Sequence, residues 1–230
     1  MLYITGDVHG DYARLSEEKL KFMKANDTLI ICGDFGFVWD DSRSEDKNLR
    51  ALGKRKYNIC FLDGVHENHA LINRYPVRTW CGGKTHHISG NLRHLMRGEV
   101  FRIGDQTVFA MGGGERRESE LALLGESESS PEAAPSKDEM LQAVANLERQ
   151  SYQVDVIVTH EPPSSTRDYL MMRSDESMSV NALDAYLNEL TTLCKYHKWF
   201  FGSMHLDKYI SNNQVAVYRK FLSAKTGLPV

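Results

Sequence analysis

Aspartate and histidine residues follow short apolar stretches at five places in the chain, and these residue types are ligands for transition metals. The first place is Gly6-Asp7-Val8-His9-Gly10, which comes directly after the apolar run 2–5. A carboxylate and an imidazole that leave a strand end together suit a divalent transition metal, which accepts mixed oxygen and nitrogen ligands. On its own, this motif is equally compatible with an ordinary turn and a solvent-facing histidine. The pattern recurs, however, and the other apolar runs end in Asp34, His66, His160 and His205.

The elements that must position these residues alternate between apolar strands and helices. Strands are expected over 28–32, 57–62, 154–159 and 198–201, and helices over 12–24, 42–56, 67–75, 136–150 and 180–196. Such an alternation is typical of a largely parallel sheet that is covered on both faces. Short strands over 84–89, 99–103 and 107–111 indicate a second, antiparallel sheet. Side chains beyond the carboxyl ends of strands gather in one crevice, so we expect the five places to meet there.

The composition is that of an ordinary globular protein. A length of 230 residues predicts a single domain over 1–230, and 28 basic against 31 acidic residues give a formal charge of −3. That balance gives no basic footprint of the kind that nucleic-acid-binding domains carry, so nucleic acid as a partner has no support from charge. A segment at about 115–136, rich in Glu, Ser, Pro and Ala, predicts a mobile surface loop.

Nothing in the sequence indicates secretion or a membrane. The four cysteines are far apart and form no C-x-x-C pair, which is typical of buried free thiols. No apolar run approaches the roughly 18 residues that a membrane span needs, and no signal-peptide pattern opens the chain. We therefore expect a cytoplasmic protein without a membrane partner.

The order of these motifs resembles that of the calcineurin-like metallophosphoesterases, along most of the chain. The pattern G-D-x-H-G, G-D, G-N-H-[ED], a lone H and G-H-x-H corresponds here to Gly6-Asp7-Val8-His9-Gly10, Gly33-Asp34, Gly64-Val65-His66-Glu67, His160 and Gly202-Ser203-Met204-His205. Short segments of the sequence are similar to those of small bacterial and phage members of this family. The resemblance implies an α/β fold, a four-layer α/β/β/α sandwich of two mixed sheets.

The resemblance also implies two divalent metals side by side. The ligands of the first metal would be Asp7, His9, Asp34 and His205, all of them present. The positions for the second metal are Asp34, Val65, His160 and Ser203. Valine cannot bind a metal and a serine hydroxyl is a poor substitute for imidazole, so the second site is degenerate at Val65 and Ser203. One ion (Mn, Ni, Zn or Fe) is expected, and the second depends on how that gap is filled.

The implied activity is hydrolysis of a phosphomonoester or phosphodiester by a metal-bound hydroxide, with His66 protonating the leaving oxygen. Two metals normally clamp the phosphoryl group, so the degenerate site leaves three alternatives. In the first, one metal suffices for slow hydrolysis. In the second, a nearby group (Asn68, His69 or Glu161) replaces the missing ligands of the second metal. In the third, the site is catalytically inactive and the protein acts as a binding or regulatory protein. We rank the phosphoesterase first, with a phosphorylated substrate as its partner, and a nuclease third.

Overall fold

The computed structural model describes residues 1–115, 131–172 and 181–230. Within them, the strands are β1 (Leu2–Thr5), β2 (Thr28–Ile31), β3 (Asn58–Phe61), β4 (Val77–Trp80), β5 (Gly83–Ser89), β6 (Leu92–Leu95), β7 (Glu99–Ile103), β8 (Gln106–Met111), β9 (Val156–Thr159), β10 (Lys198–Phe201), β11 (Lys208–Tyr209), β12 (Gln214–Ala216) and β13 (Leu222–Ser223). The helices are α1 (Arg43–Gly53), α2 (His69–Ile72), α3 (Lys137–Arg149), α4 (Ser164–Met171) and α5 (Ala182–Leu193), and a 3-10 helix covers Tyr12–Leu15.

The described strands form two mixed sheets. The order in the first is β13-β1-β2-β3-β6-β5-β4, in which β1, β2, β3 and β6 are parallel neighbours. The order in the second is β11-β12-β10-β9-β8-β7, in which β12, β10, β9 and β8 are parallel. The remaining strands pair antiparallel at the edges.

Among the described residues, alternating side chains of the strands build three apolar cores. In β2, Leu29 packs toward α1, whereas Ile30 packs between the two sheets, because successive strand residues point to opposite faces. In β10, Phe200 faces the same intersheet core, and Trp199 packs against α3 and α5. The layers are therefore helix, sheet, sheet and helix, and the predicted four-layer sandwich is confirmed.

Helix boundaries follow local capping. Ser136 and Glu139 form a reciprocal capping box at the start of α3, as their spacing predicts. The helix expected over 67–75 is reduced to α2, because Asn68 accepts a hydrogen bond from the Leu71 amide and starts the helix there.

Two expectations about secondary structure were wrong. The helix expected over 12–24 is a single 3-10 turn followed by turns, which bury Leu15, Leu20 and Met23 without a regular helical stripe. The strand at 84–89 belongs to the first sheet, because β6 pairs with β3 in parallel and with β5 antiparallel. The second sheet is therefore mixed rather than antiparallel.

Of the loop predicted at about 115–136, residues 116–130 lie outside the described residues. At its far end the backbone is fixed, because the Arg97 guanidinium donates to the carbonyls of Glu132, Ala133 and Ala134. Within 1–115, 131–172 and 181–230, no helix has both the length and the apolar composition that crossing a bilayer requires.

Candidate metal centre

The predicted site residues meet where parallel strands of both sheets end. Asp7 and His9 follow β1, Asp34 follows β2 and His66 follows β3, and these three strands are parallel neighbours. His160 follows β9, and β10 beside it ends shortly before His205. Parallel pairing carries the loops after these strands to one edge of each sheet, as in other α/β folds.

Four of these residues form one compact donor group. The donor atoms of Asp7, His9, Asp34 and His205 all lie within 4.8 Å of one another. The two imidazole nitrogens, His9 Nε2 and His205 Nε2, face each other at 3.0 Å. Asp7 Oδ2 is buried and accepts no hydrogen bond, although His205 Nε2 lies 3.1 Å away. Nitrogen donors that converge on an unsatisfied carboxylate oxygen fit a transition metal, so this group could hold one ion.

Strained backbone conformations hold this group in place. His9, Asp34, Ser203 and His205 have φ values of 50°, 42°, 59° and 49°. Left-handed conformations of non-glycine residues cost on the order of 1 kcal/mol each and concentrate at functional sites. The Asp34 carbonyl accepts hydrogen bonds from the amides of Val8 (3.0 Å) and His9 (2.8 Å), which locks the first two loops together.

His160 is buried against the end of β2. A Cβ atom at Gly33, whose φ is +97°, would overlap the His160 ring, so glycine is required there. His160 Nδ1 donates to the Cys32 carbonyl at 3.1 Å, which leaves Nε2 as the nitrogen that faces the site. Nε2 is buried without a hydrogen bond and lies 3.9 Å from both Asp34 Oδ1 and Glu161 Oε1.

The charges around His160 favour a cation at this point. Burial alone would lower the pKa of His160, but the carboxylates of Asp34, Asp7 and Glu161 outweigh it and raise that pKa to about 9. Burial likewise opposes ionisation of Asp34, yet the charge of His160 and the hydrogen bonds from His66 hold the Asp34 pKa below its usual range. A positive charge next to Asp34 is therefore stabilised, whether a proton or a metal supplies it.

The two degenerate positions differ in what they do. Val65 is buried and lines the cavity beside His160 with an apolar surface. Ser203 donates from its backbone amide to Asp7 Oδ1 at 3.2 Å and from Oγ to Glu161 Oε1 at 3.0 Å. Neither position supplies a nitrogen donor, but Ser203 positions a carboxylate.

The three residues that could replace the missing ligands of the second metal have different environments in the structure. Asn68 caps α2 and donates to the Trp39 carbonyl at 2.6 Å. His69 is buried, with Nε2 3.1 Å from the Gly64 carbonyl. Glu161 alone among the three lines the cavity between Val65, His160 and Ser203. Burial raises the pKa of Glu161, partly opposed by His160 and by the hydrogen bond from Ser203.

The predicted acid, His66, is oriented by Asp34. Its Nδ1 lies 2.8 Å from Asp34 Oδ2, and its backbone amide donates to Asp34 Oδ1 at 2.8 Å. Its imidazole is about one-third exposed and lines the same cavity as His160 and Glu161. A histidine held at Nδ1 beside a donor group is suited to proton transfer at the site.

A buried polar network under the loop after β3 was missed by the sequence analysis. The Asp63 carboxylate lies within 3.5 Å of Arg97 (2.5 Å), His94 (3.0 Å) and His69 (3.5 Å). Burial opposes the charge of Asp63, but these partners hold its pKa well below the usual value. No sequence spacing signals this network, because its members come from β6, α2 and loops that are far apart in the chain.

A basic groove adjoins His9 and is distinct from the cavity that Glu161 lines, and the net charge of the chain gave no sign of it. The groove has a volume of about 650 Å³ and is lined by Lys19, Arg219 and Lys220, together with the rings of Phe22 and Tyr218. The guanidinium of Arg14, which also lines it, is already engaged by the carbonyls of Asp7 and Tyr218.

The sequence matches a family model along almost its entire length. The family model of the calcineurin-like phosphoesterases matches residues 2–218, which covers nearly the full sequence. No curated protein matches the chain. Because the match spans both sheets and every residue of the donor group, the chain belongs to the calcineurin-like phosphoesterases.

Proposed function

We propose that this protein hydrolyses a phosphoester with the help of a divalent metal held by Asp7, His9, Asp34 and His205. The proposal rests on one observation: these four residues direct their donor atoms to one point, and an Asp7 oxygen among them accepts no hydrogen bond. A metal at this position would polarise the phosphoryl oxygens and lower the pKa of a water molecule.

The residues of the chain supply the remaining steps. His66, fixed by Asp34, holds a proton for the departing oxygen of the ester. Asp34 stays ionised through its hydrogen bonds with His66 and the nearby charge of His160. The ligand chemistry suits Mn, Ni, Zn or Fe, since carboxylate and imidazole accept all four.

The groove beside His9 favours a phosphodiester with a sizeable remainder, such as a nucleotide, as the substrate. Lys19, Arg219 and Lys220 would attract the anionic groups of such a substrate. On this ground a nuclease-type substrate gains support that the composition did not give.

Hydrolysis assays test the proposal. Metal-stripped protein is loaded with each of the four metals and assayed with p-nitrophenyl phosphate and bis-p-nitrophenyl phosphate. Activity that is lost in Asp34→Asn and His9→Gln but retained in Glu148→Gln, an exposed position on α3, is the expected result. If every metal-loaded sample is inactive, the alternative of a binding or regulatory relative takes its place.

Groove variants test the substrate class. Arg219→Ala combined with Lys220→Ala should raise KM for a dinucleotide and leave KM for p-nitrophenyl phosphate unchanged. Equal effects on both substrates would assign the groove no role in binding.

A further inference from the structure

We propose that Glu161 rebuilds the second metal site, so that Asp34, His160 and Glu161 hold a second ion with Ser203 Oγ beside it. This inference rests on the proposed function, since it concerns the same centre. It replaces the expectation of a damaged half-site with a different ligand set, richer in carboxylate.

The unpartnered nitrogen of His160 marks the position. His160 Nε2 is fully buried, accepts and donates no hydrogen bond, and lies 3.9 Å from one oxygen each of Asp34 and Glu161. Donor atoms at about 2.0–2.2 Å from one metal ion can be at most about 4.4 Å apart. Both pairs fall within that limit. His160 and Glu161 are not members of the donor group around Asp7, whose ligand atoms all lie within 4.8 Å of one another.

The hydrogen bond of His160 Nδ1 favours the tautomer that a metal ligand needs. Nδ1 donates to the Cys32 carbonyl, so in the neutral ring the lone pair is on Nε2, the nitrogen that faces the site. A backbone carbonyl that fixes the distal nitrogen in this way is common among histidines that bind metals.

The carboxylate of Glu161 is held in place from several sides. Its Oε1 accepts a hydrogen bond from Ser203, and its backbone carbonyl accepts one from Thr159 Oγ1 at 2.6 Å. A Cβ atom at Gly114 would come within 2.7 Å of Oε1 and 3.0 Å of Val65, so the backbone of Gly114 closes the space around it.

The two departures from the family pattern, Val65 and Ser203, are explained together by the carboxylate of Glu161. In the family pattern, positions 65 and 203 supply an amide oxygen and an imidazole, both neutral. Here Val65 supplies no donor, Ser203 supplies a small hydroxyl, and Glu161 supplies an anionic oxygen in the same cavity. Exchanging neutral donors for a carboxylate shifts the relative preference of the site toward harder ions, so Mn²⁺ is a suitable ion with which to probe the second position.

Metal stoichiometry of the protein tests the inference without recourse to activity. Mn²⁺ is titrated into metal-stripped protein and bound ions are counted by elemental analysis and by electron paramagnetic resonance, which detects magnetic coupling between neighbouring Mn²⁺ ions. The parent is expected to bind two coupled ions and Glu161→Gln one, with the second site weakened at least 10–100-fold. The matched control Glu148→Gln should keep two.

A rescue variant distinguishes the loss of a metal ligand from a folding defect. Glu161→Gln combined with Val65→Asn and Ser203→His restores the ligand set of the family and should bind two ions again. The inference is overturned if the parent binds one ion, or if Glu161→Gln binds two with unchanged affinity.

The same samples separate this inference from the proposed function. Two bound ions without hydrolysis would leave the rebuilt site standing and refute the phosphoesterase. Hydrolysis with one bound ion would support the phosphoesterase and refute the rebuilt site.

Discussion

The buried pair His86 and His94 makes the stability of this protein sensitive to pH in a way that one substitution should remove. His86 Nδ1 lies 2.9 Å from His94 Nδ1, and His94 Nε2 lies 3.0 Å from Asp63 Oδ1. If His94 donates to the Asp63 carboxylate, its other nitrogen accepts from His86. His86 is then held neutral: it is 5% exposed, and burial followed by the proximity of His94 lowers its pKa to about 4.

The sign and size of the effect follow from that pKa. In the unfolded chain, His86 titrates at about 6.5, so between pH 6.5 and 4 the unfolded state binds a proton that the folded state does not. The free energy of unfolding should therefore fall as the pH drops through this range. From pH 7.5 to 4.5, His86 contributes a loss on the order of 2–3 kcal/mol, with a slope near 1.2 kcal/mol per pH unit at about pH 5.

Urea unfolding of metal-stripped protein measures this loss. Tryptophan fluorescence is followed at pH 7.5, 5.5 and 4.5 for the parent and for His86→Gln, which cannot take up the proton. The variant is expected to be less stable at pH 7.5, and its deficit should shrink by 2–3 kcal/mol at pH 4.5. The control His197→Gln changes a histidine whose side chain is 80% exposed, outside the network. Parallel pH profiles for the parent and His86→Gln would refute the reasoning.

Three further outcomes are expected. His66→Ala should lower kcat by about 10²–10⁴-fold, more for a phenyl than for a p-nitrophenyl ester, because a poor leaving group needs the proton; equal losses would speak against an acid role. Arg97→Met leaves the buried Asp63 without its strongest partner and should cost about 3–5 kcal/mol of unfolding free energy in thermal denaturation, and a cost below 1 kcal/mol would contradict that pairing. Thr159→Val removes the acceptor of the Trp199 indole NH, 2.9 Å away, and should cost about 1–3 kcal/mol in urea unfolding; an unchanged midpoint would show the bond to be dispensable.

Local patterns in the amino-acid sequence were enough to predict most of the strands and the functional residues at their ends. Apolar runs such as 28–32 and 198–201 form strands because continuous apolar stretches bury both of their faces, and parallel strands place Asp34 and His205 at a common edge. The order of the motifs also carried the family and the four-layer fold. These residues could be located without coordinates, since each lies within five residues of the end of its strand.

Which side chains share a cavity became clear from the folded chain. Asn68, His69 and Glu161 were equivalent in the sequence, but capping of α2 engages Asn68 and a backbone carbonyl engages His69, which leaves Glu161 beside His160. The pairing of β6 with β3, the network around Asp63 and the groove beside His9 likewise depend on residues far apart in the chain. Contacts of this kind are set by packing and by the burial of charge, and no local pattern in the sequence records them.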